Sequence, residues 1–227
     1  MAVARSAYAS TMHGRSAEER RQDLVALYRE ARACTRCPLH EGRTQVVFGN
    51  GNADADLMFV GEAPGFHEDQ QGLPFVGRAG QLLDELLAGI GLSRGDVFVC
   101  NVLKSRPPGN RDPQLEEIDA CKPYLYRQVE LIEPKVVCTL GNFATKLLTR
   151  SNRGITSVHG IPQEHELGAR KVRLYPLFHP AAALRTPAVK QQLQADFARL
   201  LALLAEPPPA PRIPVPAAVE PDQLSLG

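Results

Sequence analysis

The chain has 227 residues, with 26 lysines and arginines against 25 aspartates and glutamates, a net charge of +1. That length suits one domain with tails and a sizeable core, and the near-neutral balance excludes a generally basic coat, so any nucleic-acid face must be local. No apolar run approaches the ~18 residues of a membrane span, and the five cysteines, with no export signal, argue against a disulfide framework.

Residues 1–15 carry Arg5 and Arg15 but no apolar stretch of a signal peptide, and they read as a disordered tail. Ser16-Ala17-Glu18-Glu19 fits a capping box and opens a helix to about Arg32, with Leu24, Leu27 and Tyr28 on one face. Cys34-Thr35-Arg36-Cys37-Pro38 forms a turn. Strand-like runs follow at 56–62, 97–103, 136–140 and 172–178, and helical spacing at 78–90, 114–132, 142–148 and 188–204. Thr186-Pro187 suits the start of the last helix. This alternation predicts a three-layer αβα sandwich around a mainly parallel four-stranded sheet, spanning residues 16–205. Residues 206–227 are rich in Pro and Ala and read as a second disordered tail.

The segment 61–77, Gly-Glu-Ala-Pro-Gly-Phe-His-Glu-Asp-Gln-Gln-Gly-Leu-Pro-Phe-Val-Gly, reads as a long loop from the first main strand to the next helix. Loops of that length in compact domains are usually functional, and ligands in such folds sit at the carboxyl ends of strands. Three other strand-to-helix loops converge there, which brings Glu62, Phe75, Asn101 and His179 toward one cleft. An aromatic face, an amide, a carboxylate and a histidine suit a flat heterocycle: the ring stacks on Phe75 and the amide pairs with both a carbonyl and an N–H. The histidine donates to an oxygen that gains negative charge.

GEAPG followed by GLPFVGRAG, NVLKSRPPGNRDP and HPAAAL, preceded by the CxxC pair, occur in an order and spacing that resemble the family 4 uracil-DNA glycosylases, the iron–sulfur branch of their superfamily. The resemblance runs from about Cys34 to Leu204. It implies excision of uracil from DNA and gives each motif a role. Glu62 helps position or activate water, and the backbone of Ala63, Pro64 and Gly65 lines the pocket. Phe75 stacks on the base, Asn101 reads its edge, and His179 hydrogen-bonds the uracil oxygen. Glu68 and Asp69 shape the pocket wall. The better-known branch has an aspartate where Ala63 stands, so water activation here is weaker or arranged differently. Lys104, Arg106, Asn110 and Arg111 read as phosphate contacts beside the pocket. A non-catalytic member that only holds uracil-containing DNA is the alternative; the intact Glu62, Phe75, Asn101 and His179 favour the enzyme. The loop 104–113 has neither insertion nor histidine, which disfavours the branch that traps DNA covalently.

The resemblance also implies a [4Fe–4S] cluster on four cysteines. Cys34, Cys37 and Cys121 match, but Ser105 occupies the remaining position. Cys100, five residues upstream, is the candidate fourth ligand; a Ser105 alkoxide or a labile three-cysteine cluster are alternatives, and zinc also accepts such a set. The final Gln223-Leu224-Ser225-Leu226 resembles a short sliding-clamp-binding peptide that lacks its last aromatic, the ordinary alternative being an unstructured end. A cytoplasmic monomer of bacterial type acting on uracil-containing DNA, with no membrane association, is expected.

Overall fold

The computed structural model describes residues 16–209. Helix α1 (Ala17–Arg32) opens as expected: the Ser16 Oγ accepts the Glu19 N–H at 3.2 Å, and the Glu19 carboxylate accepts the Ser16 N–H at 2.7 Å. The short α2 (Leu39–Gly42) follows the cysteine turn. Strands β1 (Asn50–Gly51), β2 (Leu57–Gly61), β3 (Phe98–Asn101), β4 (Val136–Leu140), β5 (Gln163–Leu167) and β6 (Arg170–Leu177) form one sheet in the order β1-β3-β2-β4-β6-β5.

The inner strands β3, β2, β4 and β6 are all parallel, as the sequence predicts. The sheet has six strands rather than four, because β1 and β5 add antiparallel edges. Strand β1 is only two residues long. Strand β5 has no apolar run: Gln163, Glu164, His165 and Glu166 are held by their ladder to β6 rather than by burial. Backbone pairing of this kind leaves little hydrophobic signal in the sequence.

Helices cover both faces. On one face α1, α5 (Leu115–Ile132) and α6 (Asn142–Thr149) bury Leu24, Ile118, Leu125, Val129, Ala144 and Leu148 against Met58, Val60 and Val137. On the other, α4 (Arg78–Ala88), α8 (Pro187–Ala198) and α9 (Leu200–Ala205) bury Leu83, Leu87, Leu193, Phe197 and Leu200 against Leu57, Phe59 and Tyr175. The alternation of β2 between the two cores is the period-2 signature of a strand covered on both sides. The last helix, expected unbroken over 188–204, divides at Arg199. Residues 206–209 lie beyond it, with Arg173 paired to Glu206 at 3.0 Å and donating to the Pro207 carbonyl at 3.2 Å.

Strand order reverses at β2: its neighbour on one side is β3 and on the other β4. The carboxyl edge at such a switch point is where doubly wound sheets bind ligands. The two expected disordered tails lie wholly or largely outside the described residues, as does the clamp-like peptide at 223–226. Among the described residues no helix is long and apolar enough to cross a membrane.

Candidate active site and cysteine corner

Four segments leave the carboxyl edge beside one another. Gly61, the last residue of β2, is in register with Asn101, the last residue of β3. A Cβ on Gly61 would lie 2.4 Å from the Asn101 Oδ1 and 2.7 Å from the Phe75 ring. Only a residue without a side chain lets the amide and the aromatic ring approach this closely. His179 follows β6 and stacks against Phe75, with ring centroids 5.6 Å apart. That is ring-to-ring contact, which leaves no room for a third flat ring between the two. Gly141, with φ of +89°, passes under the histidine; a Cβ there would be 3.0 Å from the His179 Cβ. Three of the predicted site residues, Phe75, Asn101 and His179, are therefore brought together, and Glu62 stands beside them at the end of β2.

The histidine's proton is set by its local backbone. His179 caps the short helix α7 (Pro180–Ala183), and its Nδ1 accepts the Ala181 N–H at 3.1 Å. In a neutral ring the proton then sits on Nε2, which makes that atom a donor. Burial pulls the imidazole down to about 4, against an opposing pull from the Glu68 carboxylate. Glu62 is shifted the other way: burial, and then the charge of Asp112, push its carboxyl up. Asp112 is thus a neighbour of Glu62 that sequence spacing does not single out.

Residues 61–77 are not one open loop. Helix α3 (Phe66–Gln71) forms inside them, with Gly65 at its start and Gly72, φ +70°, at its end. Glu68 accepts the Val76 and Gly77 N–H groups at 3.1 and 3.2 Å, which fixes the turn that carries Phe75. Asp69 is 3% exposed, and both of its oxygens face the Thr44 N–H, at 3.0 and 3.1 Å. Asp69 was expected on the pocket wall; it instead ties α3 to the segment after α2. Phe75 holds a left-handed backbone, φ +54°, costly for a bulky residue. Its carbonyl is secured by Arg94 Nη2 at 2.9 Å, a residue the motifs do not include. Ala63 packs on the α1–α5 core and Pro64 is buried, so their backbone follows the end of β2 directly.

The expected phosphate contacts divide. Lys104 is 2% exposed, which is a correction: its Nζ donates to the Asn101 carbonyl at 2.8 Å and to Gln128 Oε1 at 2.6 Å. Arg111 forms a two-pronged ion pair with the buried Glu117, at 3.0 and 2.5 Å. Arg106 donates to Asn110 Oδ1 at 2.6 Å and lies 5.1 Å over the exposed Phe66 ring. Arg106 and Asn110 thus keep surface positions, while Lys104 serves the interior.

Behind the pocket, Cys34 and Cys37 are half-buried at the end of α1 and Cys121 is buried in α5. Each thiol lies within charge range of the others. The Cys121 Sγ accepts the Lys104 N–H at 3.4 Å. At Cys34 burial raises the thiol, but hydrogen bonds from Tyr124 and Arg36 outweigh it and lower the pKa. N–H and cationic donors around sulfur are what a bound thiolate requires. Among the described residues no three His, Cys, Asp or Glu side chains converge on a single-ion position. Three thiols, with the Lys104 amide donating to one of them, make a soft-donor set of the kind thiolate-bound metal centres use.

The family model of the uracil-DNA glycosylase superfamily matches residues 48–204. A type-4 uracil-DNA glycosylase of Archaeoglobus fulgidus is 45% identical over 183 residues, 79% of this chain and 92% of that protein. One from Thermotoga maritima is 48% identical over 167 residues, covering 73% of this chain and 85% of its own length. A third, from Saccharolobus solfataricus, is 44% identical over 191 residues, 82% of this chain and 88% of the relative. With matches of this extent, and a sheet edge that carries the superfamily's motifs on adjacent strands, the chain belongs to the uracil-DNA glycosylase superfamily.

Proposed function

We infer that this protein is a uracil-DNA glycosylase, which hydrolyses the bond between uracil and deoxyribose and leaves an abasic site for repair. The observation that carries the reading is the contact of Phe75, Asn101 and His179 over the side-chain-free floor of Gly61. The glycosidic carbon is unreachable inside the duplex stack, so the nucleotide is turned out into the pocket. Asn101 pairs with the uracil edge, and cytosine, which presents an amine where uracil has a carbonyl, leaves that pairing unmade.

As the bond to the sugar breaks, electrons move onto the departing ring and its oxygen gains negative charge. His179, neutral with its proton on Nε2, donates to that oxygen without first having to lose a charge. One such pre-aimed donor is worth roughly 3–4 kcal/mol in the transition state. Glu62 stands on the sugar side, where its carboxylate orients the water that adds to the cationic sugar. Its raised pKa makes it a more willing proton acceptor than an exposed glutamate. Arg106 and Asn110 face the DNA backbone at the rim, beside the exposed Phe66.

A [4Fe–4S] cluster held by Cys34, Cys37 and Cys121 fits the corner behind the pocket. When bound it supplies a structural cross-link between the turn after α1 and helix α5. The test is a labelled oligonucleotide with one uracil, incubated with iron-replete protein and then cleaved with alkali. Strand cleavage at uracil and not at cytosine is expected; intact strands throughout would refute the reading.

A further inference from the structure

We propose that the Ser105 Oγ, as an alkoxide, is the fourth protein ligand of the cluster, and that Cys100 is not a ligand. The proposal rests on the reading that Cys34, Cys37 and Cys121 hold a [4Fe–4S] cluster.

The Arg43 guanidinium and the Lys104 amide tie Ser105 to the cysteine corner. The Arg43 guanidinium spans it: Nη2 donates to the Arg32 carbonyl at 2.9 Å, and Nη1 donates to the Cys34 carbonyl at 2.9 Å and reaches the Ser105 Oγ at 3.5 Å. The Cys121 sulfur accepts the Lys104 N–H, one residue before Ser105. Ser105 itself is 4% exposed, yet its hydrogen bond to Arg43 is at the outer limit of useful length. A buried hydroxyl is normally better partnered. Iron at the corner would be that partner. The hydroxyl O–H bond breaks, its proton passes to water, and an Fe–O bond forms with no change in the cluster's oxidation state. The Arg43 cation then lies against the alkoxide.

Cys100 lacks these features. It sits inside strand β3, fully buried, in the core that also holds Phe98, Val102 and Cys121, but within a strand ladder rather than in the turn that carries Ser105. The segment before β1 closes over it, so that a Cβ on Gly49 would lie 3.1 Å from the Cys100 Cβ. The Lys104 ammonium interacts with both Cys100 and Cys121, and it is held by Asn101 and Gln128.

The test compares anaerobically purified full-length protein with Ser105→Ala, Ser105→Cys and Cys100→Ser. It measures iron and sulfide content, the electron paramagnetic resonance spectrum after mild oxidation, and the rate of bleaching by a chelator. Ser105→Ala should bleach several-fold faster and give the signal of a three-iron cluster on oxidation. Ser105→Cys should keep the full iron content and bleach several-fold more slowly than the parent. Cys100→Ser should match the parent in all three. A Cys100→Ser protein with the three-iron signal would overturn the proposal. So would Ser105→Cys and Ser105→Ala proteins that bleach at the parental rate. If Ser105→Ala fails to fold, the Ser105→Cys comparison still decides. Parent protein without iron and sulfide, or an unchanged spectrum in Cys121→Ala, would instead strike the underlying cluster reading and take this proposal with it.

Discussion

Two loops leave adjacent parallel strands, and they use their charges in different ways. The segment after β2 is acidic, yet one Glu68 oxygen holds the Val76 and Gly77 N–H groups and both Asp69 oxygens face the Thr44 N–H. The segment after β3 is basic, yet Lys104 points inward to Asn101 and Gln128, and Arg111 is committed to Glu117. In both, most of the charged residues build the loop, and Glu62 in the first and Arg106 in the second are the ones left, on the proposed reading, for chemistry or DNA. A loop that must hold an aromatic ring or an amide to within a fraction of an ångström consumes its own polar groups as scaffold.

The largest effect that would break this comparison is at the floor the two loops share. Gly61→Ala adds a Cβ into the Asn101 amide and the Phe75 ring. A displacement of this kind costs about 10²-fold in kcat/KM, measured by single-turnover uracil release, with the circular dichroism spectrum unchanged. A fully active Gly61→Ala protein would mean that the two loops do not meet at this point.

The pH response of the histidine that meets the first loop at Phe75 comes next. The His179 imidazole lies near 4 in the fold, below its unfolded value of about 6.5. Between these values the unfolded chain binds the extra proton, so stability rises with pH there, approaching ~1.4 kcal/mol per pH unit, and the contribution is lost as pH falls toward 4. Denaturant titrations at a series of pH values should show this slope, and His179→Gln should remove it. Uracil release should correspondingly show no histidine titration near pH 6.5.

Asp69→Ala is expected to be smaller and of another kind. The Thr44 N–H loses its acceptor, which costs about 1–3 kcal/mol of stability, while excision per folded molecule is retained. A drop in kcat with unchanged stability would return Asp69 to the pocket wall. The mildest change is at the rim. Arg106→Gln should lower the salt dependence of DNA binding by about one phosphate contact, whereas Lys104→Met should leave that slope alone and reduce thermal stability. The reverse pattern would place Lys104 on the DNA.

Most of the frame is legible in the sequence, and the reasons are physical. The four buried parallel strands announce themselves as apolar runs, and α1 by its Ser16–Glu19 box. Asn101 ends one parallel strand and His179 closely follows another, so the sheet brings them to one edge, and the segment after β2 returns Phe75 to them. What the sequence hides is whatever depends on pairing or partners. Strand β5 is polar and exists through its ladder to β6. Helix α3 is a short run inside a segment full of loop residues. Lys104 looks like a surface cation, because nothing local shows that the Asn101 carbonyl and Gln128 will enclose it. Gly61 and Gly141 matter through distances to residues far along the chain, and Arg94 through a carbonyl 19 positions away.

The most direct measurement of the central claim is the single-turnover rate of uracil release by iron-loaded wild-type protein and by His179→Gln on the same oligonucleotide. The account predicts release of free uracil by the wild type and a rate roughly 10²–10³-fold lower in the variant, with similar affinity for the DNA. Equal rates for the two proteins would contradict it.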